Sequence, residues 1–259
     1  MKTRISFISI IGALMGIGVF WWGMTTGNVG KTFFNMHGLV LVVGGVIAAT
    51  LVNSEAQDIW ASVRALVSVF TNPKNPPAHS IITTMTDLSR KARKEGFISL
   101  HTEGNNVGDG FLGKAIRVLI EGEGDMKAAR WLLEKEINRT ALRHREVQNI
   151  FRTVGILAPM FGLLGTLIGI VEVLNNFSDP RAVGPSMATA ITSAFYGICL
   201  ANLICVPVAG KLRQRTLNEL LLKEMILEGL LAIYDGEVPS GVEGKLATYL
   251  SGKMRPAIK

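Results

Sequence analysis

Four long stretches without a charged side chain constrain this chain more than anything else in it: 5–30 with 26 residues, 32–54 with 23, 153–171 with 19 and 182–210 with 29. A hydrocarbon core of about 30 Å takes ~20 helical residues to cross. Inside lipid every backbone N–H and C=O must be bonded internally, which leaves helices or closed barrels. No period-2 alternation runs through the four stretches, so they read as helices. The expected fold is all-α: a polytopic membrane protein with four transmembrane helices and a helical cytoplasmic stalk formed by helix extensions. Its expected divisions are 1–54 (spans one and two), 55–152 (a cytoplasmic helical region), 153–210 (spans three and four) and 211–259 (a cytoplasmic C-terminal helix and tail).

Composition sharpens this by exclusion. The chain is 48% hydrophobic and 18% charged, whereas soluble domains carry about 25% charged residues. A net charge of +7 invites a nucleic-acid partner, but few aromatic residues interleave with the basic ones, so none is expected. Cys199 and Cys205 both lie in the fourth stretch and read as small buried hydrophobes, not as a disulfide or metal pair. His37, His79, His101 and His144 are scattered, and no Ser/His/Asp set, phosphate loop or metal cluster accompanies them. Gly122-Glu123-Gly124 reads as a turn. An enzyme is therefore not expected, nor is a bound cofactor. Lys2 and Arg4 would suit a signal peptide, but the apolar run after them is too long and no A-x-A site follows it.

Basic residues set the orientation. Of 27 Lys and Arg, only Lys31 and Arg181 fall in the short connectors after the first and third spans. The positive-inside rule then places both termini and the middle segment in the cytoplasm. That segment, 55–152, carries 15 basic and 12 acidic residues. Ile59, Val63, Leu66, Val67 and Phe70 follow helical spacing, and the turn-rich Asn72-Pro73-Lys74-Asn75-Pro76-Pro77 ends that element. After Asp125 a helical pattern through Trp131, Leu132 and Ile137 meets no Pro or Gly before Arg152 and is expected to run directly into span three. Leu212, Leu217, Leu220, Leu221, Leu227 and Leu231 extend span four in the same way, with Gly236 and Pro239 closing the helix.

None of the 20 acidic residues sits at the centre of a span; Glu172 marks the outer end of the third. A transporter that works alone usually keeps an ionisable group at mid-depth. Either this chain carries no ions, or a partner supplies the carboxylate. Spans three and four carry small residues at helical spacing, Ala158, Gly162, Gly165, Thr166 and Gly169 in one and Ser186, Ala190, Ser193, Ala194, Gly197 and Ala201 in the other. Such stripes let helices approach closely in lipid, whether they join the two spans to each other, receive a partner helix, or do both with two faces. Thr166 and Ala194 each lie 13 residues from the inner end of their spans, at Thr153 and Pro207, so at 1.5 Å per residue both stand about 20 Å deep. Thr166, Ser193 and Tyr196 are the hydroxyls placed to line a polar path there; the alternative is a hydroxyl bonded back to its own helix. Pro159 and Pro207 lie near the cytoplasmic ends of the two spans, where each removes a helix hydrogen bond. Two kinks at matching depth form either a hinge or a static bend.

Several motifs together resemble the A subunit of the bacterial flagellar stator, the MotA/PomA family. They are His37-Gly38-Leu39-Val40-Leu41-Val42-Val43-Gly44-Gly45, Ala92-Arg93-Lys94-Glu95-Gly96-Phe97-Ile98-Ser99-Leu100, Ala158-Pro159-Met160-Phe161-Gly162-Leu163-Leu164-Gly165-Thr166-Leu167-Ile168-Gly169, Asp179-Pro180-Arg181-Ala182-Val183-Gly184-Pro185-Ser186-Met187-Ala188 and Leu227-Glu228-Gly229-Leu230-Leu231-Ala232-Ile233-Tyr234-Asp235-Gly236-Glu237. They occur in the family's order over nearly the whole chain.

The resemblance implies an inner-membrane ion channel assembled from five copies around two B subunits of the MotB/PomB type, whose membrane aspartates bind the ion. Ion passage would turn the ring of A subunits against the rotor's switch protein, FliG, within membrane lipid. Pro159 and Pro207 match the family's two functional prolines, and Thr166 its ion-path threonine. Ala194 stands where sodium-driven members resemble one another in carrying threonine and proton-driven members carry alanine, which favours H⁺. Ser193 beside it offers a hydroxyl and keeps Na⁺ open, since hard cations take oxygen ligands. Arg93 matches the rotor-facing arginine. His101 stands where an acidic residue is usual, with Glu103 two residues on as its substitute, or the rotor-facing charge pattern differs. The rival is a TolQ/ExbB-type proton-driven energiser of outer-membrane processes, which resembles this architecture with three spans. A self-contained channel is a further alternative, and it alone predicts ion flux without a B subunit.

Overall fold

The computed structural model describes residues 4–5, 7–26, 33–72, 76–106, 110–121 and 125–250. Lys2, Lys31, the 73–75 part of the proline-rich turn and Gly122-Glu123-Gly124 lie outside them. Among the described residues the regular structure is helical apart from two two-residue strands, β1 (Arg4–Ile5) and β2 (Thr71–Asn72), which pair antiparallel.

The helices are α1 (Phe7–Thr26), α2 (Met36–Asn53), α3 (Ala56–Val69), α4 (Ala78–Glu95), α5 (Leu100–Asn106), α6 (Phe111–Glu121), α7 (Met126–Asn175), α8 (Pro180–Cys199), α9 (Val206–Tyr234) and α10 (Pro239–Ala247). A π-helical turn, Leu200–Cys205, joins α8 to α9. The two long helices expected from the sequence are present. α7 runs for 50 residues through Pro159 without interruption, and Pro180–Tyr234 forms one helical run. That run, α7 and α2 are long and apolar enough to cross a membrane. α1 has 20 residues, none charged.

Local chemistry sets the ends. Asn35 caps α2, its side-chain oxygen accepting from the Gly38 N–H at 3.1 Å. Asp179 caps α8 in the same way, with Pro180 at the first helical position. Gly236, at φ 77°, ends α9. There the Glu237 N–H reaches the Ala232 carbonyl and the Gly236 N–H reaches Ile233, satisfying carbonyls the helix leaves open. Pro239 both follows this stop and starts α10, a helix the spacing of leucines did not announce.

The chain divides into two compact units, Met1–Pro73 with His144–Gln214, and Lys74–Arg143 with Arg215–Lys259. In the first, α2 packs on α8, Val46 sits with Ala158 and Ala201, and Val69 of α3 sits with Phe151 and Val208. Many large apolar side chains stay exposed, among them Trp21, Trp22, Ile47, Leu163, Leu167 and Ile191.

The second unit is built as a water-soluble domain is. Ile81, Ile82, Met85 and Leu88 of α4 recur at helical spacing and meet Leu112, Ile116 and Leu119 of α6, Leu133 and Ile137 of α7, Met225 and Leu230 of α9, and Val242 and Leu246 of α10. Full burial of such a side chain stabilises by about 1.5–3 kcal/mol. Gly229 lets α9 approach α4, since a Cβ there would lie 2.9 Å from Met85 Cγ. The helix extensions are thus present, and α4, α6 and α10 are wrapped on them around a core of their own.

Candidate functional site

The residues singled out inside the spans converge on the seam between α7 and α8. Gly162 presses on the Ala194 Cα, 3.2 Å from where a Cβ would stand, and Gly169 on the Ala190 N at 2.7 Å. Gly165 faces the Ser193 side chain, and Gly197 faces the Ala158 carbonyl, each too close for a Cβ. The two small-residue stripes therefore pack against each other. Backbone approaches this close are what small residues permit in lipid, where packing rather than hydrophobicity drives association.

α2 joins the seam at its N-terminal end. A Cβ on Gly38 would stand 2.7 Å from the Ser193 hydroxyl and 3.2 Å from that of Thr192, so only glycine fits there. Asn35 donates from its amide to Thr189 Oγ1 at 2.8 Å and from its backbone N–H to the Tyr196 hydroxyl at 3.1 Å. Tyr196 in turn donates to the Phe33 carbonyl. Its hydroxyl, a candidate for the polar path, thus ties the start of α2 to α8. Asn35, Thr189 and Thr192 are not among the residues the sequence marks; the helix-capping preference of asparagine is the one signal that could have found the first.

The other two hydroxyls differ from each other. Ser193 is fully buried and donates to the Thr189 carbonyl at 2.7 Å. Thr166 is half-buried and lies 3.1 Å from two carbonyls, Gly162 on its own helix and Ala190 across the seam. One proton serves one carbonyl at a time, so the Thr166 oxygen keeps lone pairs for a water or a passing cation. Ala194, half-buried, stands beside Gly162, one turn before Thr166. With no carboxylate in either uncharged stretch, the seam can steer a cation by oxygen dipoles but cannot hold a proton itself.

The prolines are accommodated rather than disruptive. Pro159 is half-buried within α7, next to Ala158, whose carbonyl meets Gly197. Pro207 follows the π-helical turn, in which the Val206 N–H reaches the Ala201 carbonyl five residues back. This wider register takes up the local mismatch where Pro207 offers no N–H.

The charged candidates lie in the second unit. Arg93 is exposed in the last turn of α4, just before Gly96 at φ 84° ends it. Glu103 accepts from Lys91 Nζ at 2.7 Å, joining α5 to α4. This bond raises the Lys91 pKa above its ordinary value. Glu103 is therefore already engaged, and exposed His101 stands near it on α5.

Residues 103–225 match the MotA/TolQ/ExbB proton channel family. Motility protein A of Borreliella burgdorferi is 35% identical over 248 residues, 95% of each chain. The chain belongs to the MotA/PomA family. Chemotaxis protein PomA of Vibrio alginolyticus is 32% identical over 243 residues, 94% of each chain. A chain of the flagellar MotAB stator complex from Bacillus subtilis aligns with a TM-score of 0.85 at 25% identity, covering 95% of this chain and 96% of that one. As a MotA/PomA family member the chain is a flagellar stator A subunit of the inner membrane, not an enzyme. The TolQ/ExbB reading shares the family description, but these near full-length likenesses are to a motility protein A and a chemotaxis protein PomA.

Proposed function

We propose that this MotA/PomA family member is an ion-driven, torque-generating stator subunit that forms its channel with a B subunit of the MotB/PomB type. The observation that carries this reading is the seam itself. It is close-packed, uncharged, and has one half-exposed hydroxyl, Thr166, with an oxygen to spare. Such a surface guides a cation between sites but needs a partner's carboxylate to bind it. Five copies would surround a B dimer, with α1, α2, α7 and α8 as four spans and both termini in the cytoplasm. One charge crossing 100 mV releases about 2.3 kcal/mol, enough to bias a step between neighbouring ring positions. Pro159, and Pro207 with its π-helical turn, would pass that step to the second unit, where Arg93 meets the rotor's switch protein, FliG.

Protons are the favoured ion. Ser193, the hydroxyl beside Ala194, is fully buried, so unlike half-buried Thr166 its oxygen is poorly placed to replace the water that Na⁺ must shed. Swimming speed measured against Na⁺ at fixed pH tests this: independence supports H⁺, and a strict sodium requirement refutes it. For the torque role, Arg93→Glu should impair swimming while leaving membrane assembly intact; unchanged swimming would leave Arg93 as an ordinary solvated surface charge.

A further inference from the structure

A second site lies in the first unit, outside the α7–α8 glycine seam. Phe151, Gly155 and Ile156 of α7 face Cys205, Val206, Ala209 and Gly210 across a cavity of about 370 Å³. Arg152 and Arg213 stand in the same lining, both exposed, with Gln148 as the other polar member and no carboxylate among the lining residues. Among the described residues neither arginine has an ion-pair partner. Their sequence positions fix their level: Arg152 is the last residue before the uncharged stretch 153–171, and Arg213 is three residues beyond the end of 182–210. On helices running in opposite senses, both guanidiniums therefore stand at the boundary where apolar span gives way to charged extension, with the apolar walls of Ile156 and Val206 on the span side.

We propose that this cavity binds an anionic phospholipid of the cytoplasmic leaflet, the phosphate between Arg152 and Arg213 and an acyl chain along Ile156, Val206 and Ala209. Charge complementarity names the occupant. Guanidinium forks match phosphate oxygens in pairs, basic pockets between helices on the cytoplasmic side take anionic headgroups, and an apolar floor beneath two cations suits an amphiphile better than a free anion. Gly155 and Gly210 keep the walls low: a Cβ on Gly155 would only touch the Cys205 Cβ at 3.4 Å, and one on Gly210 would meet nothing within 4 Å. The lipid would sit beside Phe151 and Ala209, which also pack with α3.

The proposal depends on the chain spanning a membrane and not on its turning a rotor, so swimming assays and lipid binding fail independently. The test is native mass spectrometry of the full chain in neutral detergent, titrated with phosphatidylglycerol, phosphatidylcholine or glycerol 3-phosphate. Two arginines facing one anionic headgroup predict roughly a 30-fold preference for phosphatidylglycerol over phosphatidylcholine. Arg152→Gln with Arg213→Gln should remove that preference, while Gly210→Leu, which fills the cavity and keeps both charges, should weaken both lipids. Equal binding of the two lipids by the unaltered chain, a preference that survives the double substitution, or glycerol 3-phosphate binding as tightly as the lipid would each overturn the proposal. So would crosslinks showing an acidic segment of a partner protein seated between the two arginines in membranes.

Discussion

The two units hold together by opposite means. In the unit of Met1–Pro73 and His144–Gln214, glycines let backbones touch and large apolar side chains such as Leu163 and Leu167 face outwards. In the unit of Lys74–Arg143 and Arg215–Lys259, large side chains such as Met85, Leu133, Met225 and Leu246 are fully buried and polar residues face outwards. The first is arranged for a solvent as apolar as its own side chains, so shape rather than hydrophobicity selects its contacts. The second is arranged for water, where removing apolar area from solvent does the work. The first should therefore suffer from added atoms and the second from removed ones.

The largest expected effect is on the second unit. Leu133→Ala should cost about 2–5 kcal/mol, because it leaves a hole in a packed core. Leu167→Ala, on the exposed face of the first unit, should stay within about 0.5 kcal/mol in the isolated chain. Thermal unfolding followed by helical circular dichroism would compare them; equal losses would break the contrast. Next, Gly169→Ala adds one methyl where the Ala190 backbone N and Cα lie 2.7 and 2.8 Å away. A cost of about 1–3 kcal/mol is expected from overpacking. The same change at Gly44, where nothing lies within 4 Å of the added atom, should be neutral or slightly stabilising in the same assay. The smallest effect is at the polar tie between α2 and α8. Asn35→Ala loses a helix cap and the bond to Thr189, worth about 1 kcal/mol as a cap. Hydrogen exchange at the first turn of α2 should quicken while the core of the second unit stays protected; unchanged exchange at Gly38 would show that the tie does not order α2.

Uncharged length made the long helices legible, and the absence of Pro and Gly between Asp125 and Arg152 made α7 legible as a single element. The glycine stripes were legible as well, though sequence alone left open which helix they receive; Gly162 on Ala194 and Gly169 on Ala190 make α8 one answer. Other features were hidden because they depend on pairs distant in sequence. The bonds of Asn35 to Thr189 and Tyr196 cross more than 150 residues, and no spacing rule connects them. The π-helical turn before Pro207 is a response of the backbone, invisible in residue types. α3 misleads in an instructive way. Val63 and Val67 follow helical spacing yet lie exposed, while Ser62 and Val69 are buried. An apolar stripe is thus not evidence of a core when the chain has an apolar solvent to meet.

Proton or sodium flux into liposomes, measured under an imposed potential with the purified chain alone and with its B subunit, tests the central claim most directly. A seam without a carboxylate predicts no flux from the chain alone and flux restored when the B subunit is supplied. Flux from the chain alone would contradict it.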